Sequence, residues 1–278
     1  MAQKVSPHPL ADYIRTDRLP FIFCPGCSIG TIIGMVARAM KELNLDLTKT
    51  VVVSGIGCTG RASGYFNACA FHTTHGRAIP FATGVKLANP ELNVIVISGD
   101  GDLASIGGNH LIHAARRNID ITVIAINNFN YGMTGGQYGP TTPLKSRTQT
   151  SPYGTIEQPF NLSKLAASAG ATYVARWTPL DVFKGVKSIK KAILHKGFSF
   201  IEFVGICPTA YGRYNRLGDA PEMLEHLKKI EVKKNVPPEE ADFDFNEILV
   251  CGEFVDTTKP ELTELYDKLI LSVKEENK

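Results

Sequence analysis

Four cysteines and two short polar motifs hold most of the chemically capable residues of this 278-residue chain. Cys24 and Cys27 form C-P-G-C, Cys58 closes V-V-V-S-G-I-G-C, and Cys207 closes F-I-E-F-V-G-I-C-P. The polar motifs are Gly99-Asp100-Gly101-Asp102, directly after the apolar run 94–97, and Asn127-Asn128, after the next apolar run. A C-x-x-C pair has three readings: half a zinc site, a dithiol redox centre or half an iron–sulfur site. Phe21-Ile22-Phe23 ahead of C-P-G-C mimics a thioredoxin-like start. Cys58 and Cys207, however, also fall where strands should end, and strand ends converge on one edge of a parallel sheet. Proline follows Cys207, as it follows the last ligand of bacterial ferredoxin-type runs. Zinc stays open for four thiolates, but zinc carries no electrons. The set points to an iron–sulfur cluster beside a metal–diphosphate loop, and so to redox chemistry.

A strand that ends in G-D-G and feeds a helix aims backbone N–H groups and a helix dipole at an anion. Asp100 adds a hard carboxylate for magnesium, which prefers oxygen ligands and bridges protein to phosphates. Between Gly101 and Asn127 lie 25 residues, one βαβ step, so an Asn amide oxygen returns to the same edge and can complete the coordination. A bare G-D-G also describes a tight turn with an N-cap aspartate. The two motifs together at this separation are far more specific.

These residues need a frame. Ile32, Ile33, Val36, Ala39, Met40 and Leu43 recur at helical spacing, with Ser28 as N-cap, and predict a helix over 28–43. Short runs rich in Val and Ile predict strands at 50–54, 94–98, 121–126, 172–176 and 199–205. Helical patterns lie between them near 81–89, 103–117, 163–169 and 180–195. The alternation predicts an α/β fold, a parallel sheet flanked by helices. Residues 1–20 read as an N-terminal arm, 21–207 as the cofactor-bearing domain, and 208–278 as an extended C-terminal tail with one or two helices, including 260–273. The stretch 131–160 has no periodicity, and loops of that length in compact domains are usually functional.

The composition narrows the class. A net charge of +3 with interleaved acids and bases argues against nucleic acid, and no apolar run approaches the roughly 20 residues that span a bilayer. The first thirty residues show no signal-peptide pattern. Six cysteines are too sparse for a disulfide scaffold, so the expected setting is the cytoplasm, with thiols kept for metal or redox work. Cys69 and Cys251 read as ordinary packing or surface residues. His110 and His113 stay unassigned.

The string G-D-G-D-L-A-S-I-G-G-N-H-L-I-H-A-A-R-R-N, followed by N-N-F-N-Y-G-M-T-G-G-Q, resembles the thiamine diphosphate motif. More fully, it resembles the β subunit of 2-oxoacid:ferredoxin oxidoreductases. C-P-G-C, G-I-G-C, H-G-R-A-I-P-F-A-T-G and Cys207-Pro208 extend the likeness over about residues 20–215. It implies a thiamine diphosphate-binding domain in which Asp100 and Asn128 hold Mg2+ by side chain and Asn130 by its carbonyl. It sets Gly99, Gly101, Asp102 and Thr134 around the diphosphate, Ile106, Tyr131 and Met133 on the thiazolium side, and His75 in cofactor contact. Cys24, Cys27, Cys58 and Cys207 would bind one 4Fe–4S cluster. The implied reaction is oxidative decarboxylation of a 2-oxoacid, with electrons passed singly to ferredoxin and the acyl group taken by coenzyme A, or the reverse carboxylation. The glutamate that activates the aminopyrimidine would come from a separate α subunit, in a dimer of αβ units. F-A-T-G-V-K-L-A-N-P, I-G-G-N-H and Y-G-M-T-G-G-Q-Y-G-P-T-T-P look most like the 2-oxoglutarate branch, although Gly135 stands where some members carry lysine. A pyruvate or broad 2-oxoacid enzyme is the alternative. A non-redox thiamine decarboxylase or synthase is more distant, since it has no use for the four cysteines.

Overall fold

Runs of Val, Ile and Phe buried on both sides become the strands of one sheet in the computed structural model, which describes residues 8–276. In chain order the strands are β1 (Thr50–Ser54), β2 (Cys69–His72), β3 (Asn93–Gly99), β4 (Thr122–Asn127), β5 (Tyr173–Trp177), β6 (Ser199–Val204), β7 (Glu231–Lys233), β8 (Phe243–Asp244) and β9 (Ile248–Asp256). The helices are α1 (Ser28–Glu42), α2 (Ala78–Ala88), α3 (Gly108–Arg117), α4 (Leu162–Ser168), α5 (Val182–Leu194), α6 (Arg213–Asn215), α7 (Ala220–Ile230) and α8 (Leu262–Glu276). The sheet runs β2-β1-β3-β4-β6-β5-β9-β7, with β8 paired to β9. The first six strands of that order are mutually parallel, and β9 joins β5 antiparallel.

Helices cover both faces, so the inner strands carry no polar face. Alternate residues divide between two cores. Val52, Ile95, Ile97, Ile124, Ile126 and Phe203 pack with α1, α5 and α7, whereas Val51, Val53, Val94, Val96, Val123 and Phe200 pack with α2, α3 and α4. Capping is explicit at α3, whose last turn closes on left-handed Asn118, and at α7, which opens with an Asp219–Glu222 capping box.

Three expectations need correction. Cys24 and Cys27 follow no strand: the chain turns through Gly26 at φ +77° while Phe21 and Phe23 pack on Tyr65. Ser28 is not a cap; its Oγ accepts from the Ile206 N–H at 2.9 Å, tying the start of α1 to the segment that ends at Cys207. Tyr13 and Ile14, in the expected arm, are buried in the core, and Ile14 bridges to Phe66. Residues 1–7 of that arm lie outside the described residues.

Beyond residue 207 the chain supplies β7, β8 and β9 to the sheet before ending in α8. Arg176 on β5 fastens these elements. It is fully buried beside Glu202 of β6, with Nε 2.9 Å from Oε2, and its Nη1 donates to the carbonyls of Ala241 and Val250. Glu202 also accepts from Asn127 Nδ2 at 2.9 Å and Ser163 Oγ at 2.7 Å, so the buried charges are paired and hydrogen-bonded.

Candidate active site

The loops after β1, β2, β3 and β4 meet at the carboxyl edge of the sheet and line a cleft of about 150 Å³ that opens to solvent. From β3 the chain turns through Gly99-Asp100-Gly101 into a π-helical turn (Asp102–Ile106) before α3 begins. Such turns are rare and concentrate at functional sites. Gly101 is required: a Cβ there would lie 2.5 Å from the Tyr131 ring, whose hydroxyl donates to the Gly101 carbonyl at 3.3 Å.

Asp100 is only 2% exposed and faces Asn128 and Asn130 from the next strand end. Burial pushes its carboxyl up to about 6, against the opposing pull of a 2.6 Å hydrogen bond from Thr141 Oγ1. Asn130 Nδ2 donates to the Asn128 carbonyl at 2.7 Å. Between the two asparagines, Phe129 adopts φ +68° with its ring wholly buried against Tyr211, Phe243 and Phe245. A bulky residue rarely enters the left-handed region, and here the aromatic cage holds it. Thr142 Oγ1 donates to the Phe129 carbonyl at 2.6 Å. Thr141 and Thr142 thus clamp both halves of the motif. Sequence reading missed them because they sit in the aperiodic 131–160 loop.

Asp102 is also in the cleft lining, and its carboxylate bonds to the neighbouring loops. Its Oδ1 lies 2.5 Å from His75 Nδ1 and accepts from the Gly76 N–H at 2.7 Å and the Ile56 N–H at 3.1 Å, and its Oδ2 accepts from Ser98 Oγ. One carboxylate therefore joins S-G-D-G-D, G-I-G-C and H-G-R. Gly55 leaves room for it, since a Cβ there would sit 1.8 Å from Asp102 Oδ2. His75 and Thr134 line the cleft; Met133 and Ile106 are about half exposed, and of these two Met133 lies in the lining. Ile56, Gly57 and Thr59 line it as well. They belong to G-I-G-C and its continuation, so a signal for them existed. His110 lies outside the cleft, its Nε2 2.6 Å from Arg77 Nη1, and burial and that guanidinium lower its pKa.

The four motif cysteines converge beside this cleft. A Cβ on Gly132 would lie 3.5 Å from Cys207 Sγ and 3.6 Å from Cys58 Sγ, and Cys58 is itself part of the cleft wall. Burial pushes Cys27 up to about 12 and Cys58 to about 11, and in both the neighbouring motif thiols raise it further. Cys24 is exposed and Cys207 buried. Among the described residues, no three of these sulfurs come within 4.8 Å of one another. A single tetrahedral zinc would hold them about 3.8 Å apart, given Zn–S near 2.3 Å. Cys251 is buried on β9, and Cys69 is exposed on β2.

Residues 51–203 match the family model of the thiamine pyrophosphate enzyme, C-terminal TPP binding domain. The chain is 51% identical over 269 residues to the 2-oxoglutarate synthase subunit KorB of Methanocaldococcus jannaschii, covering 97% of this chain and 100% of that one. It is 54% identical over 219 residues to the subunit of the same name from Archaeoglobus fulgidus, covering 79% and 80%. Among solved structures it superposes on a 2-oxoglutarate:ferredoxin oxidoreductase from Magnetococcus marinus, with 2-oxoglutarate, coenzyme A and succinyl-CoA bound. The TM-score is 0.85 at 33% identity, covering 98% of this chain and 93% of that one. The chain belongs to the β-subunit family of 2-oxoacid:ferredoxin oxidoreductases, in its 2-oxoglutarate synthase branch.

Proposed function

We propose that this chain, joined to an α subunit in the cytoplasm, oxidatively decarboxylates 2-oxoglutarate in the presence of coenzyme A. The products are succinyl-CoA and CO2, and two electrons leave singly through a 4Fe–4S cluster to ferredoxin. The observation that carries the reading is the shared wall: Cys58 lines the cleft that Asp100, Asn128 and Asn130 enclose, and also meets the other thiols. The residues suit both groups. Among the described residues, Asp100 is a buried carboxylate with no protein cation in hydrogen-bond contact, and a divalent cation would hold it ionised. Asn128 and the Asn130 carbonyl add oxygen donors, as Mg2+ prefers. Four thiols spaced too widely for one zinc suit a cluster.

Thiamine diphosphate, when bound, supplies carbanion stabilisation. The chain's own residues bind and orient. Asp100, Asn128 and Asn130 would fix the cation and through it the diphosphate, with Gly99, Gly101 and Thr134 around it. Tyr131 and Met133, which line the cleft, would pack on the thiazolium side, and Ile106 would add an apolar contact there. Cys24, Cys27, Cys58 and Cys207 would hold the cluster beside the cleft. The six cysteines suit a reducing compartment, and no helix among the described residues is long and apolar enough to cross a membrane.

The test is anaerobic co-purification with the α subunit, followed by viologen reduction with coenzyme A and either 2-oxoglutarate or pyruvate. Reduction by 2-oxoglutarate, none by the chain alone, and loss of iron and acid-labile sulfide in Cys58→Ser are expected. Reduction by pyruvate alone would move the chain to another branch. A complex holding thiamine diphosphate but no iron would remove the redox reading.

A further inference from the structure

We propose that Asp102 is a positioning residue that holds a proton on His75 Nδ1 and thereby turns His75 Nε2 into the cleft as its proton-handling atom. The inference rests on the reading of the cleft as the oxidoreductase site. Its physical basis is the set of hydrogen bonds around one carboxylate.

Asp102 is buried, and its hydrogen-bond partners among the described residues come from three segments that build the cleft wall. Oδ1 takes the Gly76 and Ile56 N–H groups together with His75 Nδ1, while Oδ2 takes Ser98 Oγ. A carboxylate whose donors are two main-chain amides, a hydroxyl and an imidazole is an acceptor at each contact. The proton in the 2.5 Å contact therefore resides on Nδ1. Which ring nitrogen keeps the proton is set by the hydrogen bond that the other makes, so Asp102 decides the state of Nε2. The ring cannot easily turn away. Gly76 follows it at φ +73°, where any Cβ would strike Ile106 at 2.3 Å, and Tyr131 packs edge-on at 6.0 Å between centroids. The His75 side chain is 34% exposed, lines the cleft beside Cys58 and Asp100, and makes no hydrogen bond through Nε2 to any described residue.

The wall thus presents one hydrogen-bonding nitrogen, fixed in direction, to whatever fills the cleft. The partner that such an atom fits is an oxygen or nitrogen of the bound 2-oxoacid or of the cofactor that must gain or release a proton during decarboxylation. A histidine in that position contributes as a general acid or base only if its geometry is held, and Asp102 holds it.

The tautomer is read directly in the full chain, labelled with 15N-histidine, from long-range 1H–15N correlations without any cofactor. With seven histidines, His75→Gln assigns the signal. A ring protonated at Nδ1, whether neutral or as imidazolium, is expected; a neutral ring protonated at Nε2 overturns the proposal. The second arm uses the assembled enzyme. His75→Gln should lower kcat by about 10²-fold or more, a loss far larger than any loss of thiamine diphosphate retention. Asp102→Asn keeps an acceptor for the two amides, and so the loop, but removes the charge; it should lower kcat at least about tenfold alone and add almost nothing in the His75→Gln background. Equal losses in both backgrounds, or loss of cofactor retention in proportion to kcat, would assign Asp102 a structural role and overturn the proposal. A wild-type complex inert toward every 2-oxoacid would defeat the functional reading, while the tautomer result would still judge the pair.

Discussion

Asp100 shows most plainly how burial and function pull on one side chain. Its carboxyl is raised to about 6 from the usual range near 4. The folded chain therefore keeps a proton there that the unfolded chain has already lost. Stability should fall as pH rises from about 4 to about 6 and level off above, by on the order of 3 kcal/mol. Urea titrations of the cofactor-free chain at pH 4.5 and 7, at about these values, check the sign. Added Mg2+ with thiamine diphosphate should erase the difference, because a cation favours the ionised form. Thr141→Val removes the 2.6 Å hydrogen bond at nearly constant volume. Partners that orient a metal's ligands are worth about 10- to 100-fold in affinity, so cation binding followed with Mn2+ should weaken by about that much. The meeting of Asp100 and Asn128 in one cleft was legible in the sequence because both follow strand ends one βαβ step apart. Thr141 was not, because nothing in an aperiodic loop says which hydroxyl folds back. Asp102 was legible as part of G-D-G-D, but its inward hydrogen bonds depend on two other loops that only the fold brings together.

Among the elements, the turn between β4 and the 131–160 loop depends on chain far away in sequence. Phe129 keeps its left-handed conformation because Phe243 and Phe245, from beyond residue 240, close over its ring. Phe245→Ala should destabilise the chain by about 3–5 kcal/mol in denaturant titrations and also weaken cation binding, since Asn128 and Asn130 flank the ring that loosens. Unchanged cation affinity in the folded fraction would show that the turn holds its own shape. The central strands were readable from apolar runs, with ends displaced by a residue or so: 121–126 against Thr122–Asn127, for example. β2 escaped because all four of its residues are exposed at the sheet edge and carry no burial pattern. β7 and β8 escaped because strands of three and two residues give no periodicity, and β9 because it joins antiparallel from a segment that reads as tail. The site was legible through its motifs. The struts that support it were not.

Taken whole, the molecule gathers the loops after β1, β2, β3 and β4, together with the segment after β6, on one edge of the sheet and leaves the supporting interactions to the other elements. The α/β class followed from the alternation of strand and helix patterns, since parallel strands need helical crossovers. The last helix behaves differently: of α8 only Thr263 is buried, and Leu265, Tyr266, Leu269 and Leu271 stand in solvent. The two cores described above meet only through backbone, because neighbouring residues of each strand point to opposite sides. The sheet is therefore an energetic insulator. Ile33 on α1 and Leu111 on α3 are both wholly buried yet belong to different cores. The cost of Ile33→Val and Leu111→Ala combined should equal the sum of the two to within about 0.5 kcal/mol in urea titrations, while a pair inside one core should depart from its sum. What a substitution on one side of the sheet costs therefore does not depend on what has changed on the other, although both sides draw on one shared stability margin.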